Sequence, residues 1–142
     1  MTFLLDTCVV SEFMKKRANP RVVEWLASED EASMFLSEIV LGELEKGLHK
    51  LPVGARRAKL RAFIDAEIVD RFRERILSVD LAVWRRWGEL NGSREAEGRP
   101  LPVVDALLAS VASVHHLALV TRNESDFTGL GIRIVNPWGS AG

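Results

Sequence analysis

Apolar runs of strand length alternate along this chain with segments of helical periodicity, and that alternation leaves few folds open. The runs are "TFLLD" (residues 2–6), "SMFLS" (33–37), "RILSV" (75–79), "LALVT" (117–121) and "IRIVN" (132–136). Each is too short for a helix and is bounded by polar or turn-forming residues, so each predicts a strand. Between them lie segments with apolar residues on one helical face: 20–29 with Val22, Val23, Trp25 and Leu26, and 38–50 with Leu41, Leu44 and Leu48. Residues 55–72, 80–91 and 102–116 follow the same pattern. Strand–helix alternation of this kind predicts an α/β class: a single domain with a central parallel sheet covered by helices on both faces. Pro20 and Pro102 suit first helical turns, whereas "GSREAEGRP" (92–100) reads as a loop. Residues 1–138 are expected to form the domain and 139–142 a frayed tail.

A chain of 142 residues with 47% hydrophobic and 27% charged residues has enough apolar material for one sizeable core. The net charge of −1 and pI near 6.3 give no global basic field, so any contact with nucleic acid has to come from a local patch. One cysteine excludes an internal disulfide framework and a cysteine-based zinc site, which suits a reducing, cytoplasmic setting. Asp6 interrupts the first apolar run, and His115 and His116 break the run from Ala106 to Val120, so neither a signal peptide nor a membrane span is expected.

Four acids could meet where such a fold collects ligands, at the carboxyl edge of the sheet. Asp6 closes the first run. Glu43 lies one to two turns into the helix after the second, beside the stripe of Leu41, Leu44 and Leu48, with Gly47 leaving room above it. Asp105 sits in the first turn of a helix whose expected buried stripe is Val104, Leu107, Leu108 and Val111, with Ala109 and Ala112 on its own side. Asp126 follows the fourth run in "TRNESDF", read as a loop.

Each acid also has a structural reading. Asp6 suits the N-cap of a helix starting near Thr7, Asp105 complements a helix dipole, Asp126 suits a turn, and Glu43 a solvated helix surface. Their joint arrival at one edge is what a structural reading does not supply. Packed carboxylates raise one another's pKa and persist where a cation compensates them. With all-oxygen donors and no Cys/His set, the matching ion is Mg²⁺ or Mn²⁺.

"LLDTCVVSE", "SEIVLGELEKGL", "LPVVDALLASVASVHHLALVTRNESDF" and "IRIVNPW" together resemble the PIN-domain ribonucleases, specifically the VapC-type toxins of type II toxin–antitoxin modules and their FitB-like branch. The resemblance runs from Phe3 to Trp138. It implies a metal-dependent endoribonuclease, with Asp6, Glu43, Asp105 and Asp126 as catalytic, metal-coordinating acids and Thr7, Thr121 and Asn123 as supporting neighbours. It also implies an RNA substrate, a homodimer, and a VapB-like antitoxin whose C-terminal segment covers the acidic groove. One departure stands out: the family commonly has Asn after the "DT" pair, where this chain has Cys8.

Hydrolysis of a phosphodiester on such a site needs a metal-activated water and no covalent enzyme intermediate. Cys8 and Ser11 lack an assigned His partner and read as packed residues. Substrate contact falls to local cations. Arg99 and Arg122 are best placed, while Arg56, Arg57, Lys59, Arg61, Arg71, Arg73 and Arg75 mix with acids and read as solvated faces. Trp84 and Trp87 read as core or dimer surface, and one of His115 and His116 is expected to pack at a helix end. Two rivals are weighed. An aspartyl-phosphate phosphatase needs a second aspartate where Cys8 stands, and a catalytically silent PIN-like binding module would keep the fold without the reaction.

Overall fold

All five apolar runs form strands, shorter than the runs themselves: β1 (Phe3–Leu5), β2 (Met34–Ser37), β3 (Ile76–Leu77), β4 (Ala118–Val120) and β5 (Ile134–Val135). The computed structural model describes residues 1–139, so most of the expected tail lies outside the described residues. Every strand pairing is parallel, in the order β3-β2-β1-β4-β5. Phe3 lies opposite both Met34 and Ala118, and Leu5 opposite Val120. The central strands β1 and β4 are buried along their whole length, as strands covered on both faces must be.

Among the described residues seven α-helices flank this sheet: α1 (Thr7–Glu12), α2 (Pro20–Ser28), α3 (Glu38–Lys50), α4 (Ala55–Phe63), α5 (Leu81–Ala96), α6 (Val103–Val114) and α7 (Glu124–Phe127). Crossovers from β1 to β2 to β3 run toward one edge, and those from β3 to β4 to β5 toward the other. Right-handed connections in opposite directions put helices on opposite faces. Asn19 caps α2 through Arg21 N–H and Ser37 caps α3 through Ile39 N–H, at 2.9 and 3.2 Å. No helix among the described residues is long and apolar enough to cross a membrane.

Several expectations are corrected. The loop expected at 92–100 is largely helix, because α5 continues through Gly92 to Ala96 and stops before Gly98, whose φ of 71° suits glycine. Packing along α6 outweighs the propensity cost of about 1 kcal/mol for Gly92. Buried Asn91 also fixes the return of the chain by accepting Leu101 N–H at 3.1 Å. The helix expected over 55–72 divides into α4 and a π-helical segment, Ile64–Asp70, whose wider turns still bury Ile64 and Ile68. Val104 is 41% exposed rather than core. The first turn of α6 projects into solvent, and the buried face is carried by Ala106, Leu108, Ala109, Val111 and Ala112. Both His115 and His116 are exposed, and His116 ends α6 with a φ of 55°.

Glu12 is a buried acid on α1, 4% exposed at its side chain, among Val9 and Val10. Its Oε1 accepts Asn19 N–H at 2.8 Å and its Oε2 meets Lys15 Nζ at 2.9 Å, so it clamps the α1–α2 connection. The Asn19 amide, followed by Lys15, holds its carboxyl below the usual glutamate range. A lowered folded-state pKa contributes stability above the ordinary glutamate range, lost as pH falls through the lowered value. Glu12→Gln is therefore expected to lower the urea midpoint at neutral pH and to match wild type in strong acid. A deficit that is the same at both pH values would show that the clamp acts through shape rather than charge.

Candidate active site at the carboxyl edge of the sheet

The strand order reverses between β1 and β4, and at such a switch point the chain leaves two neighbouring strands in opposite directions, opening a crevice. Asp6 follows β1 and Thr121 follows β4. The Thr121 hydroxyl donates to Asp6 Oδ2 at 2.7 Å, and Thr7 N–H donates to Asp6 Oδ1 at 2.7 Å. Asp6 is thus the N-cap of α1, as the structural reading held.

Thr7 then turns its hydroxyl onto Glu43 Oε1 at 2.6 Å, joining the end of β1 to half-buried Glu43 on α3. Asp105 lies half-buried in the first turn of α6. Asp126, expected on a loop, is on the short helix α7 and is exposed. The Asp105 carboxyl is pushed above the usual aspartate range, first by burial and then by the negative charges of Asp126, Asp6 and Glu43. A helix N-terminus pulls a carboxylate the other way, so desolvation and like charge outweigh the dipole. Asp105 thus feels the charge of each of the other three acids.

Among the described residues none of the four is ion-paired; the carboxylates that are paired lie elsewhere. An all-carboxylate set with uncompensated charge fits a hard divalent cation. The acids are not drawn in around one point, however: no three Asp, Glu, His or Cys side chains among the described residues sit close enough together to enclose an ion.

Residues 3–131 match the family model for the PIN domain. The chain belongs to the PIN-domain family. It is 31% identical over 135 residues to toxin FitB of Neisseria gonorrhoeae, covering 95% of this chain and 97% of that one. It is 30% identical over 135 residues to a VapC ribonuclease of Sinorhizobium fredii, covering 95% and 96%. The crystal structure of FitAcB from Neisseria gonorrhoeae superposes with a TM-score of 0.90 at 30% identity, covering 98% of this chain and 100% of that one.

In this PIN domain Cys8 occupies a hinge between the two strand ends. Its sulfur accepts Arg122 N–H at 3.5 Å and lies 3.7 Å from Asp6 Oδ2 and 3.9 Å from Thr121 Oγ1. A thiol therefore covers part of what an amide would do, as a weak donor and weak acceptor. Burial, the largest influence, raises its pKa, which keeps it a thiol and not a nucleophile. Asn123 supports the site through its backbone: its N–H donates to Thr121 Oγ1 at 3.1 Å, while its side chain makes no capping bond to α7. Arg99, expected to meet phosphate, is paired with Glu97 in the α5–α6 loop. Glu12 was not singled out in the sequence, although a charged residue following the apolar pair Val9 and Val10 on one short helix was the available signal.

A raised folded-state pKa means that charged Asp105 costs stability at neutral pH, and that the cost disappears as pH falls through the raised value. Asp105→Asn is expected to melt at a higher temperature than wild type at neutral pH in EDTA. The advantage narrows in acid, where wild-type Asp105 is protonated. An Asp105→Asn protein that melts lower at both pH values would mean that the carboxylate is a structural cap.

Proposed function

We propose that this PIN domain is an endoribonuclease dependent on Mg²⁺ or Mn²⁺, acting as the toxin of a toxin–antitoxin pair. The observation that carries the reading is that four carboxylates without ion-pair partners among the described residues lie near the switch point, where the charges of Asp126, Asp6 and Glu43 add to the burial that raises the Asp105 pKa. The kinship with a VapC ribonuclease and with toxin FitB supports it.

Asp6, Glu43, Asp105 and Asp126 are the residues we assign to hold the ion. A divalent ion in that set lowers the pKa of a bound water and offsets charge on the phosphoryl oxygens. Thr121 and Thr7 N–H fix the Asp6 carboxylate from two sides, and Thr7 Oγ1 fixes the rotamer of Glu43. Those hydrogen bonds limit the carboxylates to one arrangement before RNA arrives. Asp126, on an exposed single-turn helix, is held least firmly and has the greatest freedom to close on the substrate side.

The partners assigned to it are RNA, a VapB-like antitoxin and a second copy of the chain. A cleft of about 560 Å³ lined by Phe13, Val22, Val23, Leu26, Phe63 and Phe72 suits apolar side chains of the antitoxin segment. Leu81 and Trp84 on α5 are 65% and 47% exposed and suit a subunit contact.

Purified protein is expected to cleave bacterial RNA with MgCl₂ or MnCl₂ and to stop with EDTA. Asp6→Asn, Glu43→Gln and Asp105→Asn should abolish cleavage, and Asp126→Asn should lose less. Thr7→Val, which frees Glu43 without removing a carboxylate, should lose roughly 10–100-fold, as second-shell changes at metal sites do. Cleavage that survives EDTA, or Asp105→Asn at wild-type rate, would falsify the assignment and leave the silent binding module.

A further inference from the structure

The acid edge that suits a metal ion repels the substrate assigned to it, because an RNA strand brings a phosphate charge at every nucleotide. A metal ion held among the acids cannot serve the flanking phosphates. Arg122 stands next to Thr121, whose hydroxyl is on Asp6, and its own N–H is tied to Cys8 Sγ at 3.5 Å. Its side chain is exposed, and among the described residues it forms no ion pair with a carboxylate. Its charge reaches Glu12, whose two oxygens are already engaged by Asn19 N–H and Lys15.

The guanidinium of Arg122 lies over the ring of Trp138, 5.7 Å from its centroid. Trp138 is itself pinned: its N–H donates to Asn136 Oδ1 at 3.0 Å, and its carbonyl accepts Arg21 Nη1 at 3.4 Å. A stacked guanidinium keeps its edge of N–H donors free, and that edge matches two phosphate oxygens. A structural staple for the C-terminal segment needs none of this, since Arg21 and Asn136 already hold the turn.

We propose that Arg122, aimed by its stack on Trp138, grips the phosphate next to the scissile one in the RNA strand. The inference rests on the nuclease reading of the acid site and adds its substrate-binding cation. Trp138 is a positioning residue that holds the guanidinium over its ring.

The test is single-turnover cleavage of end-labelled bulk bacterial RNA with protein in excess, over a series of NaCl concentrations at constant MgCl₂. Arg122→Gln is expected to raise the half-saturating protein concentration about tenfold while leaving the maximal rate within about twofold. The slope of log half-saturation against log salt should fall by about 0.7, the value for one phosphate contact on a single strand. Arg122→Lys should retain most of the slope, and Trp138→Leu should weaken binding with the cation still present. The MnCl₂-induced rise in melting temperature should equal that of wild type, since no acid has changed. An unchanged half-saturation and salt slope in Arg122→Gln, with wild type cleaving normally, overturns this inference and leaves the nuclease reading intact. Wild type that cleaves nothing with either metal overturns both.

Discussion

The hydrogen bond from Thr121 to Asp6 ties together the ends of the two strands between which the sheet reverses direction. The bond is 2.7 Å long and Thr121 is fully buried. Everything on the acid edge hangs from it. Asp6 is set by it, Thr7 follows Asp6 and sets Glu43, and Asn123 N–H closes onto the same Thr121 oxygen. Removing that bond would loosen β1 from β4 where their pairing ends, at Leu5 and Val120.

The sheet order gives this bond its consequence. With β1 and β4 adjacent and their connections diverging, no helix crosses over their carboxyl ends, so the edge stays open where side chains from α1, α3, α6 and α7 can reach it. Short elements do the reaching. α1 has six residues and α7 four, and each begins within a few residues of a strand end. Such helices contribute little stability of their own and are held by what they pack against, which lets their polar side chains be placed by the sheet.

The strands were legible because five short apolar runs are hard to read otherwise. Where reading failed, tertiary packing overrode local signals. Gly92 and Ser93 look like a loop, yet α5 continues through them because α6 lies alongside. Val104 looks like core, yet the first turn of α6 extends past the covered region, so a helical stripe computed from the middle of the helix misassigns its end. The Asp126 segment looks like a loop because four residues are too few to show a period. The hydrogen bonds of Thr7, Thr121 and Cys8 depend on backbone positions brought together across 113 to 115 residues, or across the 36 between Thr7 and Glu43, which no local pattern encodes.

A net charge of −1 conceals how unevenly the charges are committed. Arg61 is bound bidentately to Glu45 at 2.6 and 2.7 Å, Arg71 to Glu31, Arg73 to Asp70 and Arg86 to Glu89, so much of the chain's positive charge is neutralised on helix surfaces. The four acids at the switch point have no such partners. Exposed pairs contribute little to stability, typically about 0–1 kcal/mol each, so the pairing does not account for the fold. Its effect is on the field. Cations committed to those pairs are not free to screen the crevice, where the negative charges of Asp126, Asp6 and Glu43 reach Asp105 and add to the burial that raises its pKa.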